Sequence, residues 1–531
     1  MRKQRMTNAA KLLIGVLLAG ISTWGELAAQ ESGQALSVAE PRLDITRFRI
    51  DGDTLFPGSE VDQLLSPYVG EKRTIKDIEQ AARELERNLH LRGYVFHRVF
   101  VPAQKPVGGE VVLQVIRFNL ASVVVKGNEH FSAGNIRRSL PTLQEGAAPD
   151  MASLGRDLTA ANANPAKQAS VTFREGKKPE TVDAEIKVKD VSPLNFFAGY
   201  TANRSVEPVH RDDSLYRLTL GVQHSNLFDL DHVATVSYTT DPSDIGGVTQ
   251  LGGYYQIPIY GTGLNLAAYY TYSDVDSGRI QQGGGFFDVS GKGNFYGLRL
   301  TQALPRLGAT QQTVSLAIDE RYFENSTTFL GVQIQPDVAS RPLSIRYAAH
   351  QDATWGSYGG NIEYAVNLGG GAANQSTNYR LNGGDYRWDA WRYGMDFSLA
   401  DTGWNYAARV RGQWSNDALI AGEQFGLGGA NSVRGFADRE VAGDYGYLWN
   451  VEAKAPEILF PQLRPILFID GGQAHSRTAK HRETLLSAGA GLRWLAQHFE
   501  ATLDLARVLD RNSLNTEASI TRLHLSVFFR Y

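Results

Sequence analysis

Cysteine is absent from the 531-residue chain. That excludes disulfides, thiol chemistry, cysteine-ligated metals and a lipidated cysteine behind a leader segment. Excess positive charge is absent too. The 53 lysines and arginines against 56 acids leave a formal charge of -3, which excludes the basic profile of a general nucleic-acid binder. After residue 30 there is no long apolar run, so nothing reaches the ~20 residues of a spanning helix. Catalytic signatures are missing as well. There is no HExxH and no GxSxG, and "GLGG" (426–429) lacks the lysine that a phosphate cradle needs. The eleven histidines are scattered. His90 and His97 have no ligand spacing and read as surface or lumen residues, and "DLD" (229–231) reads as a turn. No enzyme activity, metal or cofactor is expected.

What is present begins with a leader. Arg2, Lys3, Arg5 and Lys11 precede the apolar "LLIGVLLAGI" (12–21), and small residues end at Ala28-Ala29. Residues 1–29 read as a secretory signal peptide, with a retained anchor helix as the alternative. Residues 30–42 form a short N-terminal segment. A secreted chain without a spanning helix is either soluble or a transmembrane β-barrel. Within hydrocarbon only helices and closed barrels satisfy every backbone polar group internally.

Residues 43–190 carry an internal repeat. "FRIDGDTLFPGSEVDQLL" (48–65) aligns without gaps on "VVVKGNEHFSAGNIRRSL" (123–140), an offset of 75 residues. Phe48, Ile50, Gly52, Phe56, Val61 and Leu65 match Val123, Val125, Gly127, Phe131, Ile136 and Leu140. Each unit starts with an alternating strand and turns at Gly52-Asp53 or Gly127-Asn128. A helix follows. Ile75, Ile78, Ala82, Leu85 and Leu89 then give a helical stripe, as do Met151, Leu154, Leu158 and Ala161. Two strands close each unit. The order predicted is β-α-α-β-β twice, over 43–118 and 119–190.

Residues 191–531 alternate with period two. Tyr393, Met395, Phe397 and Leu399 oppose Arg392, Asp396 and Ser398. Phe499, Ala501, Leu503 and Leu505 oppose Glu500, Thr502 and Asp504. Strands of roughly ten residues with one apolar and one polar face are the barrel signature, and about sixteen are expected here. They start near 192, 214, 231, 246, 262, 294, 310, 340, 356, 386, 403, 443, 463, 481, 497 and 519. The longest gaps, at 276–293, 324–339, 368–385 and 415–442, all fall on one side, the outside if the repeats are periplasmic. The chain ends "RLHLSVFFRY", where Leu523, Leu525, Val527, Phe529 and Tyr531 alternate outward.

This organisation resembles the transporter of two-partner (type Vb) secretion, the FhaC/ShlB/HecB family of the POTRA-barrel superfamily. The resemblance covers about residues 43–531. It rests on the repeat pair, which looks like two POTRA domains, on "LTAANANPAKQASVTFREG" (158–176), and on "YRLTLGVQHSNLFDLDHVATVSY" (216–238). It rests most specifically on "VRGF" (433–436) paired with "FIDGG" (468–472). In the family the loop carrying the first motif folds into the lumen and meets the second. The resemblance therefore implies an ion pair between Arg434 and Asp470, with Val433, Gly435 and Phe436 in the loop motif and Phe468 and Gly472 in the wall motif. It implies a terminal barrel signal at Phe529 and Tyr531. The implied protein is an outer-membrane pore with periplasmic POTRA domains. The implied partners are a secreted protein with an N-terminal secretion domain, outer-membrane lipid and the barrel assembly machinery, with no nucleic acid. An assembly factor of the BamA/TamA type is the alternative, although those carry five or three POTRA domains. The family's N-terminal plug helix has little room in "ESGQALSVAEPR" (31–42).

Overall fold

A computed structural model describes residues 42–531 except 53–54, 208–213, 246–247, 275–276, 283–284, 291, 326–327, 330–331, 334 and 511–520. The leader, nearly all of the segment before residue 43, and Asp53 lie outside the described residues.

The first unit consists of β1 (Arg47–Gly52), α1 (Gly58–Leu65), α2 (Ile75–Leu91), β2 (His97–Phe100) and β3 (Glu110–Arg117). The second consists of β4 (Asn119–Lys126), α3 (Ala133–Arg138), α4 (Met151–Ala161), β5 (Lys167–Glu175) and β6 (Thr181–Asp190). In each, the first strand runs parallel to the last, and the middle strand pairs with the last antiparallel. A short pairing of Leu43–Ile45 with Gly70–Arg73 adds to the first unit. α2 starts cleanly because Thr74 and Asp77 form a reciprocal capping box.

The repeat is visible in the packing. Phe48, Phe56, Val61 and Leu65 are buried in one core, and Val123, Phe131, Ile136 and Leu140 in the other. Gly52 ends β1 and Gly127 directly follows β4, both at positive φ, +103° and +80°. A Cβ at these positions would sit 2.3 Å from the Val115 carbonyl oxygen and 2.5 Å from that of Val188, so only glycine allows the close approach. His97 departs from expectation. It is buried in the first unit, with its ring edge-on to Tyr94, because the inward positions of β2 face α2.

The rest of the chain is a closed barrel of 16 antiparallel strands. They are β7 (Leu194–Ser205), β8 (Leu215–Leu227), β9 (His232–Thr240), β10 (Gln250–Ile259), β11 (Leu264–Ser273), β12 (Gly293–Leu307), β13 (Thr310–Phe323) and β14 (Pro342–Ala353). Then come β15 (Gly356–Asn367), β16 (Asp389–Asp401), β17 (Trp404–Trp414), β18 (Tyr445–Lys454), β19 (Leu463–Ser476), β20 (His481–Ala496), β21 (Phe499–Val508) and β22 (Thr521–Arg530). The last strand pairs with the first, Arg522 with Ser205 through Arg530 with Phe197, which leaves no open edge.

Alternation sets the two surfaces. On β19, Leu467 is 62% exposed and Asp470 0%, because the first faces lipid and the second the lumen. Aromatic clusters mark both rims of the apolar band: Trp355–Tyr358, Trp404–Tyr406 and Trp494–Phe499 at one, Tyr364–Trp391 and Trp414–Tyr445 at the other. The short turns lie on the side of the two N-terminal units, and the long connections lie opposite. One of these, 368–388, contains a helix the sequence did not signal, α5 (Ser376–Leu381). No described helix is long and apolar enough to cross a membrane.

Candidate functional site: a loop inside the barrel lumen

The connection from β17 to β18 turns inward. Its two limbs pair with each other, Phe425–Leu427 against Val441–Gly443. Its tip carries Arg434 to the wall of β18, β19 and β21.

There Asp470 faces inward, fully buried. Arg434 Nε donates to Asp470 Oδ2 at 2.7 Å and Nη2 donates to Oδ1 at 2.9 Å. The Arg434 backbone N–H adds a third bond to Oδ2 at 3.2 Å. Such a fork fixes orientation as well as adding charge-assisted hydrogen bonds. Nη1 donates to Glu452 and Asp504, both at 3.2 Å. Arg493 shares Asp504, donating at 2.5 Å and 2.9 Å. The guanidinium carbon of Arg434 lies 3.4 Å from the Phe468 ring centroid, a cation–π contact made by a largely buried side chain.

Neighbouring groups hold the tip. Gly435 N–H donates to His524 Nε2 at 2.9 Å, so that ring nitrogen is an acceptor. Asn450 donates to the Ser432 carbonyl at 2.7 Å. Val433 and Phe436 are fully buried and pack with Leu427, Leu448, Leu485 and Val508. Gly472 leaves room for the loop, since a Cβ there would lie 3.0 Å from the Leu427 side chain. At the chain's end Phe529 faces outward, and Tyr531 exchanges two backbone hydrogen bonds with Phe196 at 2.9 Å each.

Sequence reasoning named Arg434, Asp470, Val433, Phe436, Phe468 and Gly472, and the structure brings these together. It missed Glu452, Arg493, Asp504 and His524. Inward parity was the only signal those four carried.

A second buried polar cluster seats the second unit on the barrel. Lys167 Nζ lies 2.5 Å from Asp231 Oδ2, and neither side chain reaches solvent. Burial holds the lysine below its ordinary pKa, against the pull of Asp231. Asn164 donates to the Ser225 carbonyl at 2.6 Å, and Asn135 to Asn226 and to the Asp229 carbonyl. Ser132 and Tyr260 donate to Asp229 and Asp231. The acids of "DLD" thus sit in a turn, as expected, and also receive the second unit. The described residues contain no His/Cys/Asp/Glu group placed to hold a metal.

Two family profiles match the chain. Residues 209–494 match the haemolysin secretion/activation protein ShlB/FhaC/HecB, and residues 43–117 match the POTRA domain, ShlB-type. The outer membrane transporter CdiB of Dickeya dadantii is 21% identical over 476 residues, covering 86% of this chain and 82% of its own. The heme/hemopexin transporter protein HuxB of Haemophilus influenzae is 20% identical over 484 residues, with the same coverage. Among solved structures, CdiB from Escherichia coli superposes with a TM-score of 0.75 at 18% identity, covering 94% of this chain and 93% of that one. CdiB from Acinetobacter baumannii gives 0.68 at 17%, covering 92% and 90%. These two share the fold.

Proposed function

This chain belongs to the haemolysin secretion/activation family ShlB/FhaC/HecB, and from that premise we infer that it is an outer-membrane transporter exporting a partner protein to the cell surface. Residues 43–118 and 119–190 act in the periplasm as two POTRA domains. They bind the unfolded partner by strand addition to a free sheet edge, where main-chain hydrogen bonds supply affinity. The partner carries an N-terminal secretion domain for this purpose. It then passes along the barrel axis, and its folding outside gives the movement direction. The chain's work is transport rather than catalysis.

The observation that carries this reading is the Arg434–Asp470 fork inside a closed barrel. A pore that must admit a polypeptide yet stay shut at rest needs an obstruction with a release point. The loop tip is the obstruction, and the ion pair is the lock. The barrel seam favours axial passage over lateral release of other barrels. β22 pairs with β7 as fully as it pairs with β21. The outer surface meets outer-membrane lipid, and the end of β22, with Phe529 and Tyr531, is the segment the barrel assembly machinery recognises. Deleting the gene and restoring it with wild type or Arg434→Ala tests the reading. The deletion should remove one large protein from the surface. Wild type should restore it and Arg434→Ala should restore it poorly, with other barrels unaffected. Normal export in the deletion strain, or general loss of barrels, would overturn it.

A further inference from the structure

Besides Arg434 and the Asp438–Arg217 pair at 3.6 Å at the tip, the lumen loop makes a charged contact of opposite sign to Arg434 on another arc of the wall. Glu423 lies in the outward limb and its side chain has no solvent exposure. Arg321 of β13 donates to both its oxygens, at 2.9 Å and 3.1 Å. Arg392 of β16 donates to Oε2 at 2.9 Å, and the Ser340 hydroxyl to Oε1 at 2.5 Å. Gln413 of β17 donates to the Glu423 carbonyl at 2.9 Å. Asp319 and Glu363 pair with the same two arginines, so the carboxylate completes a network rather than adding a stray charge.

The limb around Glu423 is built into the outer end of the barrel. Leu419 and Ile420 are buried with Tyr379 of α5, Trp388, Phe323 and Val338. Asp444 accepts from the Leu419 N–H at 2.7 Å and the Arg477 N–H at 2.6 Å. Arg439 reaches back across the loop to the carbonyls of Ala421 and Gln424. Between these fixed limbs the tip is bounded by backbone bends. Gly428 and Gly429 take φ of +108° and +96°, and Arg439 takes +55°.

We propose that Glu423 is a permanent anchor and positioning residue of the loop, and that only residues 428–438 move when Arg434 leaves Asp470. The loop then opens by swinging its tip about the Gly428–Gly429 bend, while its base stays in the barrel mouth. Opening needs no escape of the loop to the outside. This rests on the lock assigned to Arg434, and its test separates the two ideas.

The chain has no native cysteine, so spin labels can be placed cleanly. Ala421→Cys reports the base and Ala430→Cys the tip, each paired with Met395→Cys on the lipid face of β16. Distances are measured by pulsed electron resonance on the full-length protein in lipid vesicles. In Arg434→Ala, or in Arg434→Lys if alanine prevents insertion, the tip distribution should broaden and the base distribution should keep its position and width. In Glu423→Gln, which keeps the shape and loses the charge, the base distribution should broaden while Arg434 is intact. An unmoved tip in the Arg434 variants would reject the lock, and Glu423→Gln would still decide the anchor. A base that loosens with the tip in Arg434→Ala, or stays fixed in Glu423→Gln, would overturn the proposal.

Discussion

Arg434 grips Asp470 with two hydrogen bonds of 2.7 Å and 2.9 Å while its guanidinium carbon lies 3.4 Å from the Phe468 ring centroid. One residue sits on a loop tip and the other on the barrel wall, 36 positions apart. Removing Asp470 strips Arg434 of its two-pronged contact and of the bond to its backbone N–H, and leaves it only the 3.2 Å contacts to Glu452 and Asp504. Breaking a buried pair costs up to about 3–5 kcal/mol. Asp470→Ala should therefore free the tip. Single-channel conductance in planar bilayers should rise and partner export should fall, with the barrel still migrating as a folded species on unheated gels. Arg434→Lys keeps the charge but lacks the planar fork, so it should fall between wild type and alanine. Wild-type conductance in Asp470→Ala would contradict the lock.

Lys167 and Asp231 make the corresponding prediction for the junction between the second unit and the barrel. Lys167→Ala strands Asp231 in a buried site and should loosen the unit by a similar amount, about 3–5 kcal/mol. Limited proteolysis in the 191–193 segment should accelerate. The double variant Lys167→Ala/Asp231→Ala should lose less than the sum of the two single variants, because contacting residues are not additive. Strict additivity would show that the pair is not coupled.

Acidity should act on the same junction through Asp229. Burial pushes its pKa up, but hydrogen bonds from Ser132 and Asn226 outweigh that and hold it below its ordinary 3.8. A carboxylate lowered in the folded state contributes stability that is complete above its unfolded pKa. That stability is lost as pH falls through the lowered value. The distance between a label on the second unit and one on β8 should stay constant from about pH 7 to pH 4 and spread only below that, following the ordinary carboxylate range. Spreading already near pH 5 would contradict this role for Asp229.

The two repeat glycines should respond alike. Gly52→Ala and Gly127→Ala each place a Cβ against a carbonyl oxygen, at 2.3 Å and 2.5 Å, on a backbone of positive φ. Strain of this kind costs on the order of 1–3 kcal/mol. Each variant should make its own unit more sensitive to protease in the full-length protein and leave the other unchanged. Equal resistance to wild type would remove the structural basis of the repeat.

Much of the fold was legible because a strand's facing is local information. The pattern around Met395 or Leu503 states which side is lipid, and closure then fixes the neighbours. The six-position match between 48–65 and 123–140 likewise marks two cores built the same way. Contacts across the lumen are different in kind. Whether Glu423 meets Arg321 and Arg392, or Arg434 meets Asp504, depends on barrel tilt and on how far the loop descends, and no nearby residue encodes either. Arg434 and Asp470 stood out only because each sits in a distinctive glycine-bearing motif. Lys167 and Asp231 lie in stretches with recognisable patterns, yet nothing in either stretch states that a helix-sheet unit docks on a barrel turn. His97 was misplaced because alternation alone does not say which face of a short strand meets a helix.

The most direct test of the central claim is a quantitative comparison of surface and released proteins between wild-type cells and cells lacking this chain. The account predicts loss of a single large exported protein, restored by the wild-type chain and only weakly by Arg434→Ala, with the outer-membrane barrels unchanged. An unaltered exported set, or a general fall in outer-membrane barrels, would contradict it.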